Sequence, residues 1–349
     1  LPISDGEGDP WAQVSGGVMS PEVLWSCTTC GACVQQCPVD ISHIDHIVDM
    51  RRHQVLMASD FPTELNGLFK NIESKGNPWG MNASDRNAWI EEVDFPIRVL
   101  GNNGENTLPE EVEYLFWVGC AGAFEDRAKQ TTKAVAELLY RAGVEFMVLG
   151  DGETCGGDPA RRAGNEFLFH MQAAQNIETL NSAGVRRIVV TCPHCLNTLG
   201  REYEQLGGSF EVVHHTELLA QLVSDGKLTP IKQIDSAITY HDPCYLGRHN
   251  GVITPPRDLL GAMGDDLVEM PRNRKTSFCC GAGGARMWME EKIGTPINKT
   301  RAQEALATGA STVAVACPFC SVMMSDAVAA AQQDGGQGNV EVKIGRAHV

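Results

Sequence analysis

Thirteen cysteines are distributed over 349 residues, and each belongs to a spaced group. Cys27, Cys30, Cys33 and Cys37 form C-x2-C-x2-C-x3-C followed by Pro38, and the other nine fall into two copies of a longer pattern ending in C-P-x-C. The short spacing lets a chain wrap three corners of a cube-shaped [4Fe–4S] cluster, and in two-cluster ferredoxins the fourth cysteine of such a run serves the other cluster. Cys27, Cys30 and Cys33 are therefore expected to share one cluster. Cys37 is expected to serve a second, whose remaining ligands lie upstream of Leu1. Zinc suits the run poorly, because it prefers two separated C-x2-C pairs closing one tetrahedron.

From Tyr114 onward the chain repeats itself. Cys120 to Cys155 spans 35 positions and Cys244 to Cys280 spans 36, while Cys155 to Cys192 and Cys280 to Cys317 each span 37. Cys192-Pro193-His194-Cys195 answers Cys317-Pro318-Phe319-Cys320. Apolar runs at Tyr114 to Val118, Arg187 to Val190, Ala237 to Tyr240 and Thr312 to Ala316 lead into cysteines. Amphipathic stretches lie between them at Ala128 to Ala142, Ala163 to Ala183 and Ala285 to Thr308. This alternation predicts two α/β units with mainly parallel sheets. A strand at Phe210 to His214 and a helix at Glu217 to Val223 close the first unit.

The second unit supplies five thiols, Cys244, Cys279, Cys280, Cys317 and Cys320. Adjacent side chains in an extended chain point apart, so the doublet cannot easily cap two corners of one cube. A thiolate bridging two irons of an opened, non-cubane cluster is the alternative. Gly281, Gly283 and Gly284 follow, where missing Cβ atoms would let backbone approach inorganic sulfide; as a dinucleotide fingerprint the run is in the wrong register. The first unit has Thr154-Cys155 at the doublet, leaving Cys120, Cys155, Cys192 and Cys195. Four thiolates suit a cubane, and a cysteine-lined site without a cluster is the competing reading. Proline holds Cys192 and Cys317 extended. Among the histidines, only His241, three residues before Cys244, is assigned a supporting or proton-handling role; His194, His214 and His215 read as surface or hydrogen-bonding residues. The pairs Arg51-Arg52, Arg161-Arg162 and Arg186-Arg187 read as solvated faces.

A formal charge of -16 argues against a general nucleic-acid binder. Closely spaced thiols in odd number fit metal ligation in a reducing compartment, the cytoplasm, rather than a disulfide framework. No run approaches the ~20 apolar residues needed to span a bilayer. The chain starts without Met and its last residues read as a processing scar, so it is expected to be a piece of a longer protein. The expected organisation is a small α-helical ferredoxin-type 4Fe-4S domain over residues 1–62, a connecting arm over 63–111, cysteine-rich α/β units over 112–228 and 229–343, and a non-native tail over 344–349.

The ferredoxin motif followed by two such repeats resembles the heterodisulfide-reductase-related iron–sulfur reductases, whose cysteine-rich repeats are called CCG domains. Leu24-Trp25-Ser26-Cys27-Thr28-Thr29-Cys30-Gly31-Ala32-Cys33, Gly152-Glu153-Thr154-Cys155 and Asp158-Pro159-Ala160-Arg161-Arg162 look most like its membrane-bound branch, associated with electron transfer flavoprotein:menaquinone oxidoreduction. The resemblance implies an iron–sulfur oxidoreductase that relays electrons from a reduced flavoprotein towards quinone. It also implies an upstream membrane domain that would hold the chain at the cytoplasmic face. Alternatives are a heterodisulfide reductase-like subunit acting at Cys244, Cys279, Cys280, Cys317 and Cys320, a lactate or glycolate oxidase iron–sulfur subunit, and a non-catalytic metal-binding scaffold.

Overall fold

The computed structural model describes residues 19–231, 236–264, 266–333 and 340–344. Among these residues eight strands form two wholly parallel sheets: β1 (Arg98–Val99), β2 (Tyr114–Trp117), β3 (Phe146–Val148), β4 (Arg187–Val190) and β5 (Glu211–His214) in the order β1-β3-β2-β4-β5, and β6 (Ile238–His241), β7 (Thr312–Val315) and β8 (Glu341–Ile344) in the order β6-β7-β8. A parallel bridge from Ile238 to Leu267 takes the place beside β6 that β3 takes beside β2. The two halves thus share one topology, as a repeat with matched cysteine spacing requires. The mixed α/β class with parallel sheets is the one the alternation predicts.

The central strands read as continuous apolar runs because helices cover both faces. Every residue of β2 and β6 is buried. Helices Asp126–Arg141 and Glu166–Ser182 realise two amphipathic stretches within a few residues of their predicted bounds. The third does not hold. Only Ile297–Leu306 is regular helix there; residues 285–296 fold back irregularly from a left-handed Ala285 (φ 61°) through a 3-10 turn at Arg286–Trp288. Pro296, at the N-cap of Ile297–Leu306, marks the start of the regular turns.

The N-terminal helices are Pro21–Ser26, Ala32–Gln36 and His43–His53, the last running into a π-turn over Gln54–Ala58. Residues 63–111 do run from these helices to the first sheet, but with structure of their own. Leu65, Leu68, Phe69 and Ile72 recur at helical spacing and are buried on one face of helix Glu64–Lys75; the Asn and Gly around them mask that signal. A 3-10 segment, Ala83–Glu92, follows, and β1 then pairs with the edge of β3. At the other end Ile344, placed in the tail by its sequence, ends β8 in register with Val315 and is buried. Residues 345–349 lie outside the described residues.

Gly164 fixes the packing of the first half on the N-terminal helices. Its φ is +86°, and a Cβ there would stand 2.4 Å from the Arg51 carbonyl carbon. Gly164→Ala should therefore cost about 2 kcal/mol or more, since backbone strain and backbone overlap add. Denaturant unfolding checks this; a midpoint equal to that of the parent would contradict the close approach.

Candidate metal centre

Parallel strands bring their C-terminal ends to one edge, and four of them end just before a cysteine. β2 leads to Cys120, β4 to Cys192, β6 to Cys244 and β7 to Cys317. Cys192 is extended (φ -106°, ψ 120°), as Pro193 demands, and the chain turns at once into helix Pro193–Asn197, carrying Cys195 back beside it. Helix Pro318–Gln333 does the same for Cys320. All nine cysteines of the two halves are buried, whereas Cys33 is exposed and Cys27, Cys30 and Cys37 are half-buried.

The sulfurs form a contiguous series. In the first half Cys120 Sγ lies 4.0 Å from Cys155 Sγ, and Cys195 donates to Cys192 while feeling the charges of Cys120 and Cys155. In the second half Cys320 Sγ donates to Cys280 Sγ at 3.3 Å. The doublet divides: Cys280 turns to Cys320, while Cys279 accepts from Cys244 and from Cys30 of the ferredoxin motif. Cys317 donates to Cys192, joining the two halves. Hydrogen bonds from Cys244 hold the Cys279 thiol below the ordinary range, and those from Cys279 and Cys320 hold Cys280 well below it. Burial opposes ionisation of Cys192, but bonds from Cys195 and Cys317 overcome it. The donors Cys30, Cys120, Cys195, Cys244 and Cys320 are pushed up by those same bonds and by burial. Cys37 stands apart, its sulfur accepting the Ile41 N–H at 3.4 Å.

Side-chain and backbone contacts seat the ferredoxin motif on this centre. Cys279 Sγ and Thr28 Oγ1 meet at 3.4 Å, the Thr29 and Tyr245 hydroxyls meet at 2.9 Å, and Arg248 Nε donates to the Cys30 carbonyl at 2.8 Å. Gly283 and Gly284 are glycine because Cβ atoms there would stand 2.3 Å from the Thr28 and Cys27 carbonyl oxygens. These glycines thus permit a close approach of polypeptide from the ferredoxin motif.

Arg51 departs most from its sequence reading. Far from forming a solvated face, it is fully buried and donates to the carbonyls of Leu24 (2.9 Å), Cys27 (2.7 Å), Arg162 (3.0 Å) and Gly284 (3.0 Å). Three segments of chain meet on one guanidinium. Burial lowers its pKa to about 10, with Cys27 as the principal opposing charge. Arg162 is likewise buried, bridging Asp158 (3.1 Å) and Glu202; Arg186 alone of these positions keeps to the exposed surface while Arg187 is half-buried.

The first half shows why its set stops at four thiols. Thr154, at the position of Cys279, commits its hydroxyl to Asn176 Oδ1 at 2.8 Å. Glu153 beside it is buried, paired with Arg86 at 2.6 Å, and accepts the Val118 and Gly119 N–H groups, fixing the turn that carries Cys120. His194 is buried against Asp158 at 3.1 Å and stacked 4.1 Å from Tyr245. A cavity lined by Cys120, Cys155, Cys192, Cys195, His194 and Phe319 opens among them. Buried thiols converging on a cavity, Cys192 among them held towards thiolate and none in a disulfide, match what iron–sulfur ligation demands of a donor set.

Both halves match the model of one family, the CCG cysteine-rich domain, over residues 114–200 and 238–325. The chain belongs to the CCG family. It is 44% identical to the EtfAB:quinone oxidoreductase of Syntrophomonas wolfei over 91% of this chain and 45% of that protein. Against the probable iron-sulfur-binding oxidoreductase FadF of Bacillus subtilis the figures are 43%, 91% and 45%. It is 30% identical to a component of the dihydromethanophenazine:CoB–CoM heterodisulfide reductase of Methanosarcina acetivorans, over 86% of this chain and 72% of that polypeptide. The chain spans about half the length of the first two relatives. Among its described residues no helix is long and apolar enough to cross a membrane.

Arg51 supplies the sharpest test of how the CCG halves hold the ferredoxin motif. Arg51→Met strands several buried carbonyls and should destabilise the protein by about 3 kcal/mol or more. Arg51→Lys should recover only part, because a compact ammonium cannot reproduce the planar fork. Thermal unfolding of the two variants decides; equal stability of Met and parent would contradict the assignment.

Proposed function

We propose that this chain is the iron–sulfur redox portion of a flavoprotein:menaquinone oxidoreductase, carrying electrons between a reduced electron transfer flavoprotein and a membrane quinone. The observation that carries this reading is the unbroken series of sulfur contacts from Cys30 through Cys279, Cys280, Cys320 and Cys317 to Cys192 and Cys195. Three thiol groups in contact suit a relay; a scaffold needs no such continuity. Cys27, Cys30 and Cys33 would hold one cluster, Cys244, Cys280, Cys317 and Cys320 with Cys279 another, and Cys120, Cys155, Cys192 and Cys195 a third. Bound there, iron–sulfur clusters supply one-electron storage at potentials that charge, hydrogen bonding and exposure set.

The protein's own part is to order and insulate these groups. Exposure falls from Cys33 at the surface to the buried thiols within, so the ferredoxin end offers the point of exchange with a partner. Arg51, Arg248 and the two glycines hold that end against the second half, keeping the step short. Cys37, turned to Ile41, is left for a cluster completed by another segment. The names of the relatives support the assignment to flavoprotein and quinone, and the heterodisulfide reading is disfavoured by Thr154, which leaves the first half one thiol short.

Filling the sites with four-iron clusters leads to about ten or more irons per full-length protein. Anaerobic iron and sulfide analysis should return that stoichiometry with matching sulfide; zinc in place of iron would contradict the reading. Paramagnetic resonance of the reconstituted full-length protein then separates the functions. Signals should appear on adding reduced flavoprotein, and a response to disulfide alone would assign it to the heterodisulfide class.

A further inference from the structure

His241 is the last residue of β6, in register with Val315 of β7, so its ring stands where Cys244 and Cys317 leave their strands. It is buried. One ring nitrogen, Cys280 Sγ and Cys320 Sγ lie within 4.8 Å of one another, a spacing that would admit a metal ion held by all three. The other side of the ring decides between ligand and donor. Arg301, fully buried on helix Ile297–Leu306, points its Nε at His241 Nδ1 at 3.0 Å, while its Nη1 bonds the Arg272 carbonyl (2.8 Å) and Glu304 (2.7 Å).

A guanidinium nitrogen can only donate, so Nδ1 must accept and carries no proton. In a neutral imidazole the proton then resides on Nε2. Among the described residues, His241 Nε2 is buried with no hydrogen-bond partner. It has a hydrogen to give, and with Nδ1 committed to Arg301 the two sulfurs grouped with this ring are the acceptors it would serve. Ligation of iron through Nε2 would require removal of that proton, which the Arg301 bond does nothing to promote. The first half has a parallel: Trp117, three residues before Cys120, also leaves a buried ring N–H without a partner among the described residues.

We infer that His241 is a positioned N–H donor to the sulfur of the second-half cluster, locked in its tautomer by Arg301, and not a ligand to iron. The inference rests on the iron–sulfur reading above. An N–H bond to cluster sulfur stabilises the more negative, reduced form, so it raises the potential. Arg301 is a positioning residue that acts through the ring.

The test uses full-length protein with 15N-labelled histidine, reconstituted anaerobically and reduced. Its second-half signal is identified by its loss in Cys280→Ser. Nuclear-electron double resonance should show a weak histidine 15N coupling and a deuteron that appears after exchange into D2O. A strong nitrogen coupling would make His241 a ligand, and absence of any histidine coupling would remove it from the cluster; either overturns the inference. His241→Phe should shift the reduction equilibrium about tenfold towards the oxidised form, about 59 mV for one electron, and His241→Gln should restore part of that shift. An unchanged potential in His241→Phe would also overturn it. Absence of any iron–sulfur signal in the parent protein overturns the underlying reading, and this inference with it.

Discussion

Everything in this structure depends on the ends of parallel strands. A parallel sheet delivers its strand termini to one edge, and ligands bind beyond the carboxyl ends of such strands. Here that edge is populated by thiols: Cys120 and Cys192 beyond β2 and β4, Cys244 and Cys317 beyond β6 and β7. The C-P-x-C turn returns a second sulfur from the following helix. With Cys155 and the 279–280 doublet brought in by loops, each half gathers its own set, and the Cys192–Cys317 contact makes the two sets neighbours.

The ferredoxin motif is joined to this edge by polar anchors on backbone. Arg51 gives its guanidinium to carbonyls from the motif, the first half and the second half at once. Burying such a charge is costly unless hydrogen bonds and nearby negative charge offset it. An iron–sulfur cluster held through Cys27 would supply that charge. The geometry that seats the motif also places a cation beside its first cysteine.

Much of this was legible in the sequence. Matched cysteine intervals gave the repeat, short apolar runs located β2, β4, β6 and β7, and C-P-x-C marked the strand-to-helix turns. What was not legible is what depends on long-range packing. Arg51 and Arg162 look like surface charge because nothing local says that three segments close over them. The packing of Gly283 and Gly284 against the Thr28 and Cys27 carbonyls is likewise invisible in the sequence. The contact of Cys30 with Cys279 joins positions 249 residues apart, which no spacing rule anticipates. Helix Glu64–Lys75 had a clear apolar stripe and was obscured by the polar residues around it. His194 read as a surface or hydrogen-bonding residue; its burial against Asp158 and Tyr245 follows from the meeting of the halves.

The central claim is that three sulfur groups stand in sequence, the ferredoxin group against the second half and the second half against the first. Anomalous diffraction at the iron edge, from anaerobically grown crystals of the full-length protein, tests it most directly. The account predicts iron at Cys27, Cys30 and Cys33, at Cys244, Cys280, Cys317 and Cys320, and at Cys120, Cys155, Cys192 and Cys195, with the second-half iron lying between the other two. Iron missing from the second-half site, or a first-half site lying nearer the ferredoxin group than the second, would contradict it.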